Sequence, residues 1–312
     1  MPDPPTSTPN PDVLAIGVLS TPLKTGCPHG PPTGSDPSPD RVAGLWSDGS
    51  VTDVEQLRAT AVAVVQQVGD LVVRMRAGGA AQVGTKTSAT DVVTAADTAA
   101  ERLARQLLAQ WRPGEPVLGE EEGGEGSSAG GLCWVVDPID GTVNYLYGLP
   151  WYAVSVAVQR DGESLAAAVG QPAAGRLWSA ARGCGAQCDG VALRVSGATQ
   201  LELSLIGTGF SYRPQRRARQ AAMVAGMLPR IRDLRRAGSA ALDLCSVASG
   251  WLDGFAEHGL HRWDWAAGAL IAAEAGAILR LPEGGSDLLL AAAPGVFDAL
   301  AQLAAQCGAD GV

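Results

Sequence analysis

Trp134-Val135-Val136-Asp137-Pro138-Ile139-Asp140-Gly141-Thr142-Val143-Asn144-Tyr145 is the stretch on which the reading of this chain turns. A buried strand, Cys133-Trp134-Val135-Val136, is expected to deliver Asp137 to its end. Pro138 is expected to break that strand so that Asp140 turns back beside Asp137. Gly141-Thr142 can then open a helix whose free N–H groups favour an anion. Two carboxylates facing an anion seat suit Mg²⁺, a hard cation that takes a few carboxylates and fills its shell with water and phosphate oxygen. Taken alone, D-P-x-D-G is more ordinarily a tight turn whose Asp side chains cap backbone amides. The rest of the chain has to decide between the two.

Further acids stand at points where the pattern predicts element ends. Pro116-Val117-Leu118 reads as a short strand and is followed by Gly119-Glu120-Glu121-Glu122, which by itself would be a solvated acidic loop. Thr94-x-x-Asp97 resembles a helix N-terminal box at the start of a helix predicted from about 95 to 110, which Pro113-Gly114 stops. Asp264, in Trp263-Asp264-Trp265-Ala266-Ala267-Gly268, stands at another helix start, where an N-cap role is the ordinary explanation.

The surrounding pattern is that of a layered α/β protein. Leu57, Ala61, Val64, Val65, Val68, Leu71, Val72 and Met75 recur at helical spacing after a Thr52-x-x-Glu55 capping box, until Gly78-Gly79. Alternation in 153–158, the Asp161-Gly162 turn and strands near 165–169 and 176–181 predict an antiparallel meander. Beyond it, strands near 204–208, 252–257, 277–281 and 288–291 alternate with helices near 215–227, 239–249, 264–275 and 295–306. Sheets with helices packed between and around them follow. Residues 1–50, rich in Pro, Ser, Thr and Gly, read as a disordered tail, leaving 51–312 as the folded domain.

Composition narrows the function. In 312 residues, 23 Lys+Arg face 32 Asp+Glu, a net charge of −9 that argues against nucleic acid as a direct partner. No apolar run is long enough to span a bilayer and no basic region marks a secretory signal, so the expected location is the cytoplasm. Six cysteines, of which only Cys184 and Cys188 are close, do not make a zinc site and read as reduced thiols.

Together these segments resemble the inositol monophosphatase family of Mg²⁺-dependent, lithium-sensitive phosphatases. The family's D-x-V-T-x-x-D, G-E-E, W-x-V-D-P-I-D-G-T-x-N-F and W-D-x-A-A-G occur in order at Asp91–Asp97, Gly119–Glu121, Trp134–Tyr145 and Trp263–Gly268, and the resemblance runs from about 53 to the C-terminus. Gly207–Tyr212, Arg235–Ala240 and Ala272–Gly276 are most similar to its actinobacterial inositol-1-phosphatase branch. Departures are Tyr145 for Phe, Trp265 where a smaller residue is frequent, and Ala277 for the second Gly of E-A-G-G. Trp265, beside an expected ligand, puts the substrate fit in question more than the metal chemistry.

The resemblance implies an αβαβα sandwich of the inositol monophosphatase and fructose-1,6-bisphosphatase type, a homodimer, and two to three Mg²⁺ per site. Glu120, Asp137 and the Ile139 carbonyl would hold one ion, Asp137, Asp140 and Asp264 a second, and Glu120 with waters a third. Asp97 and Thr142, with Glu120, would orient and activate the attacking water. Gly141 and Thr142 would hold phosphate oxygens, and Asp140, Gly238, Ser239, Ala240, Glu257 and Asp264 the alcohol. Lys86 would pair with the carboxylates, while His258 and His261 read as structural neighbours. The implied reaction is hydrolysis of a small phosphate monoester, inositol 1-phosphate. Histidinol phosphate, fructose 1,6-bisphosphate and 3′-phosphoadenosine nucleotides are alternatives on the same site, and a non-catalytic protein acting in transcription or RNA processing is the alternative class.

Overall fold

The computed structural model describes residues 54–78, 83–85, 92–124, 129–283 and 287–309, all within the part of the chain that runs from Gly34 to Val312. The expected tail, the Thr52 cap, Lys86 and Asp91 lie outside the described residues.

Helix α1 (Val54–Ala77) buries Leu57, Ala61, Val64, Val65, Val68 and Val72, the stripe its 3.6-residue period predicts. A short hairpin of β1 (Val83–Thr85) and β2 (Val92–Thr94) leads into α2 (Ala95–Trp111). Then β3 (Val117–Gly119), β4 (Leu132–Asp140), the short α3 (Thr142–Tyr147), β5 (Ala153–Arg160), β6 (Glu163–Gln171), β7 (Arg176–Ala181), β8 (Ala186–Cys188) and β9 (Val191–Ala192) complete a seven-stranded sheet in chain order. Its β3–β4 pair is parallel and the rest are antiparallel.

The remaining elements are β10 (Leu205–Thr208), α4 (Pro214–Met227), β11 (Asp233–Arg235), α5 (Ala240–Ala248), β12 (Gly254–His258), α6 (Arg262–Glu274), β13 (Ile278–Arg280), β14 (Leu288–Ala292) and α7 (Phe297–Gln306). Their strands make a second, five-stranded sheet in the order β11-β10-β12-β14-β13.

The apolar contacts set the layers. Alternate residues of β4 face opposite ways: Trp134 and Val136 join α1 and α2, whereas Val135 joins Ala241, Leu242 and Cys245 of α5 and Ala266, Leu270 and Ile271 of α6. The far side of α5, Leu244 and Val247, packs on Phe255, Leu289 and Ala291 of the second sheet. Ile206, Ala256 and Leu290 on its other face meet Met223 and Met227 of α4 and Leu300 and Leu303 of α7. The order helix, sheet, helix, sheet, helix is the αβαβα sandwich expected. Both central helices are sheathed in apolar surface, so α5 buries every residue from Ala240 to Ala248.

Several local expectations change. Pro138 does not end the strand: β4 runs on to Asp140, with a register shift between Asp137 and Asp140, where three steps on β4 oppose two on β5. Lacking an N–H, proline is tolerated at such a bulge. Cys133, Cys188, Cys245 and Cys307 are free, but Cys184 is disulfide-bonded, against the reading of all six as reduced thiols. Short β8, β9 and β11 carried too few residues for a pattern. The hydroxyl that distinguishes Tyr145 from Phe donates to the Val72 carbonyl at 3.2 Å, tying α3 to α1. Trp265 packs among the helices of the central layer and does not line the site, so the question it raised about substrate fit falls to Trp263, which does. No described helix is long and apolar enough to cross a membrane.

Candidate active site

A cavity of about 500 Å³ opens where the end of β4, the starts of α3, α5 and α6, and the ends of β10 and β12 converge. Glu120, Asp137, Ile139, Asp140, Gly141, Thr142, Gly238, Ser239, Ala240, Glu257 and Asp264 all line it. Asp97, fully buried, stands behind Thr142 and reaches it by a hydrogen bond.

The bulge explains how one strand contributes two acids to one cavity. Residues three apart on a regular strand point to opposite faces, and the extra residue between Asp137 and Asp140 brings both round to the same side. Asp137 Oδ1 accepts the Ile139 N–H at 3.1 Å, which closes the turn. Gly141 then enters α3 with φ of 97°, a left-handed conformation that glycine adopts without strain.

Asp140 is held by the next layer. Its Oδ2 accepts the Ser239 hydroxyl at 2.6 Å and the Ala241 N–H at 2.7 Å, so the carboxylate sits on the start of α5. Asn144 of α3 donates to the carbonyls of Trp151 and Ala237 at 2.7 and 2.8 Å, fixing the 237–240 turn against it.

Glu120 stands in a turn whose backbone is held from α2. Glu101, fully buried, accepts the N–H groups of Glu121 and Glu122 at 2.7 and 3.0 Å and is paired with Arg105. Neither residue was read from the sequence. Their signal is the i, i+4 series Asp97, Glu101, Arg105, which puts all three on one face of α2.

Asp97 serves two ends at once. Its Oδ2 accepts from Thr94 N (2.8 Å) and Thr94 Oγ1 (2.5 Å), the capping box at the start of α2, while Oδ1 accepts Thr142 Oγ1 at 3.0 Å. Asp264 is the third residue of α6, not its N-cap: it accepts the His261 N–H at 2.6 Å, and His261 is the cap. His261 stacks on Trp263, and His258 is buried with Nε2 2.9 Å from the Ala309 carbonyl, so neither imidazole needs a metal to explain it.

Glu257, which also lines the cavity, projects from β12 over Gly209. A Cβ at 209 would overlap the Glu257 carboxylate, so only glycine leaves it this seat. Arg236 provides a favourable charge and Asp140 an unfavourable one. Asp243 of α5, also buried, faces Glu257 and Arg236. Arg236, Asp243 and the part played by Gly209 were not read from the sequence, because strands and helices distant along the chain bring them together.

The electrostatics are those of buried carboxylates crowded onto one cavity. Burial, then the charges of Glu120, Asp140 and Asp264, push the Asp137 carboxyl well above the usual range. Burial pushes Asp140 up to about 6, against the pull of its Ser239 and Ala241 bonds. Burial, followed by Glu120 and Asp140, does the same to Asp264, well above the usual range. Burial carries Glu257 up to about 8, and Asp97 is raised by burial against its Thr94 and Thr142 bonds.

An all-oxygen donor set with surplus negative charge fits Mg²⁺. Among the described residues no three acidic, His or Cys side chains close into a ready-made cage. Such an open set suits an ion that keeps several waters and substrate oxygens in its shell.

Residues 53–308 match a family model described as the inositol monophosphatase family. An inositol-1-monophosphatase of Mycobacterium leprae is 51% identical, the match covering 80% of this chain and 93% of that protein. The Nus factor SuhB of Escherichia coli K12 is 37% identical over 74% of this chain and 86% of its own length. Among solved structures, Mycobacterium tuberculosis SuhB superposes with a TM-score of 0.72 at 43% identity, covering 83% of this chain and 99% of that one.

Proposed function

This chain belongs to the inositol monophosphatase family of phosphatases, and from that premise we propose that it hydrolyses inositol 1-phosphate with Mg²⁺. The observation that carries the proposal is the convergence of Glu120, Asp137, Asp140, Glu257 and Asp264 on one cavity, with Thr142 of its lining hydrogen-bonded to the buried Asp97.

Glu120, Asp137, the Ile139 carbonyl, Asp140 and Asp264 would hold two to three ions. Bound there, Mg²⁺ supplies the positive charge that lets an acidic site accept a phosphate and that makes water acidic enough to attack. The protein's own groups do the rest. Asp97 accepts the Thr142 hydroxyl proton, which turns a Thr142 lone pair toward the cavity to receive a proton from the attacking water. Being buried and raised, Asp97 is a better base than an exposed carboxylate. Thr142 Oγ1 also lies 3.1 Å from the Ile139 carbonyl, so its single proton has two acceptors and the hydroxyl can change partners during transfer.

The N–H groups of Gly141 and Thr142, at the N-cap and first position of α3, have no acceptor within the helix and would hold phosphate oxygens. Glu257, with the Gly238-Ser239-Ala240 turn, would take the ring hydroxyls, since a carboxylate accepts two at once. A polyol is thereby favoured over a nucleotide base. As in the family resemblance, the enzyme is read as a cytoplasmic homodimer inhibited by lithium, and light scattering of the purified protein tests the dimer.

The deciding assay compares kcat/KM with Mg²⁺ for inositol 1-phosphate, histidinol phosphate, fructose 1,6-bisphosphate and a 3′-phosphoadenosine nucleotide. Inositol 1-phosphate is expected to lead, and a lead of tenfold or more for another ester would replace it. The Nus-factor name of the Escherichia coli relative supports a second reading, a regulatory protein acting through contacts. Its test is a catalytically dead variant that still complements a deletion strain, and the complete carboxylate set favours catalysis.

A further inference from the structure

The turn that carries Glu120 is built around a buried acid and its arginine, neither of which any step of the hydrolysis uses. Glu101 is fully buried on α2, and its carboxylate accepts the N–H groups of Glu121 and Glu122 at 2.7 and 3.0 Å. Arg105, one helical turn on, donates its Nε–H to the same carboxylate at 2.9 Å. Its other N–H groups reach the carbonyls of Val117, at 3.0 Å, and of Gly123, the two ends of the turn. The Gly119 N–H donates to the Gly123 carbonyl at 2.9 Å and closes it. A Cβ on Gly119 would overlap the Glu101 carboxylate, so a glycine just before Glu120 is the condition for this seat.

Burying a charge is costly, and stability alone gives little reason to keep an ion pair where apolar side chains of similar volume would serve as well. What the pair does here is local. Apart from the bond between Glu101 and Arg105 themselves, these bonds go to the backbone of residues 117–123, and Glu120, at the middle of that segment, lines the cavity. Residues 120–122 belong to neither helix nor strand, so no ladder of their own holds them. Asp137, Asp140 and Asp264 line the same cavity, and after burial the charge of Glu120 is among the causes that raise all three. The repulsion acts back on Glu120 and pushes its turn outward until a cation offsets it. Two N–H groups and two carbonyls tied to α2 resist that push. One turn earlier on the same face of α2, Asp97 holds Thr142, so a single helix fixes the ligand turn relative to the group read as activating water.

We propose that Glu101 and Arg105 are positioning residues that hold Glu120 ready for a divalent cation, so that the metal affinity of the site is set from α2. The proposal rests on the reading of Glu120 as a metal ligand given above. Partners that orient a ligand without touching the ion are typically worth about ten- to a hundredfold in metal affinity. Arg105 matters for its shape as well as its charge. A planar guanidinium presents its N–H groups as a fixed fork, whereas a lysine ammonium could pair with Glu101 without spanning both ends of the turn. Arg102 supplies the contrast, since it pairs with Glu122 at 2.9 Å from the exposed side, where an ion pair contributes little.

The test reads Mg²⁺ affinity from the rise in melting temperature as Mg²⁺ is added to the EDTA-treated protein, beside the Mg²⁺ dependence of kcat. Glu101→Gln keeps the volume and removes the charge. It should raise the half-saturating Mg²⁺ concentration roughly ten- to a hundredfold in both readouts, with kcat at saturating Mg²⁺ reduced by a smaller factor. Arg105→Lys should shift it in the same direction, and Arg102→Ala should leave it unchanged. Because the effect passes through Glu120, adding Glu101→Gln to Glu120→Gln should weaken binding no further. A melting temperature lowered in EDTA with Mg²⁺ affinity unchanged would reduce Glu101 to a structural role and overturn the proposal, and so would losses that add in the double variant. Should Glu101→Gln fail to fold, Arg105→Lys carries the same comparison. If Glu120→Gln binds Mg²⁺ as the wild type does, the metal reading of Glu120 fails and the proposal falls with it; a shift in Glu120→Gln without one in Glu101→Gln overturns the positioning alone.

Discussion

Stripped of divalent metal, this protein should lose stability as pH rises, the reverse of ordinary acid denaturation. Asp140 is raised from 3.8 to about 6 and Glu257 from 4.5 to about 8, in both cases chiefly by burial. Over the window from about 4 to 8 the native state therefore binds more protons than the unfolded chain, so unfolding free energy falls with rising pH. Each pKa unit is worth about 1.4 kcal/mol. Between pH 5.5 and 8.5 Glu257 accounts for about 3 kcal/mol and Asp140, with its midpoint at about 6, for about 1 kcal/mol, because most of its contribution is already lost below pH 5.5. Both carboxyls face the open cavity, where water trims these figures, while Asp97, Asp137, Asp243 and Asp264, also raised by burial, add to the slope in the same sense, so about 4 kcal/mol is an order of magnitude.

In EDTA the melting temperature should accordingly be up to roughly 10 °C lower at pH 8.5 than at pH 5.5. Glu257→Gln carries no charge to strand and should reduce the part of that slope that lies near pH 8. Saturating Mg²⁺ should raise the melting temperature more at pH 8.5 than at 5.5, because it binds the ionised carboxylates. Scanning calorimetry on the wild type and the variant, with EDTA and with Mg²⁺, reads all three effects. A metal-free melting temperature that rises from pH 5.5 to 8.5, or a slope near pH 8 left unchanged in Glu257→Gln, would refute the reasoning.

Asp137→Asn or Asp264→Asn should abolish turnover while circular dichroism stays native, since each removes a ligand charge at constant volume; wild-type rates would sink the metal assignment. Thr142→Val keeps shape and removes the hydroxyl bonded to Asp97, and kcat should drop by about 10²- to 10⁴-fold with KM little changed. Glu257→Gln should raise KM for inositol 1-phosphate roughly ten- to a hundredfold more than for a small generic phosphate ester, and equal losses on both would move Glu257 into the catalytic machinery. Activity should require Mg²⁺ on the order of millimolar and be inhibited by lithium, so full rates in excess EDTA would rule the metal out.

What could be read from the chain and what could not divides along a physical line. The stripe of α1, the alternation of β5 and the order of later strands and helices are local periodicities, and each appears within a few residues of where the pattern puts it. The site acids were legible because each stands at an element end, where a motif spans few residues. Pro138 misled, since a proline reads as a strand break and only the pairing of β4 with β5 shows that the strand absorbs it as a bulge. Glu101 and Arg105 were missed because a charged pair on a helix is ordinarily solvated, and here it is buried under the 119–122 turn. Gly209, Arg236 and Asp243 meet Glu257 only through the second sheet and α5, and no spacing along the chain encodes that meeting.

The ordinary and the chemical explanations of the site acids also turn out to be compatible. Asp97 closes a capping box with one oxygen and holds Thr142 with the other; Asp264 completes the box at the start of α6 by accepting the His261 N–H, and Asp140 sits on the start of α5. Each helix start thus fixes a carboxylate whose second oxygen, or whose partner, faces the cavity. Capping alone would favour acids with ordinary or lowered pKa, because N–H donors stabilise the charged form. Here Asp97, Asp140 and Asp264 are raised despite those bonds. A fold needing only caps would not gather four acids on one cavity, where they raise one another's pKa. That charge, concentrated where the ends of β4, β10 and β12 meet the starts of α3, α5 and α6, is what bound cations would neutralise.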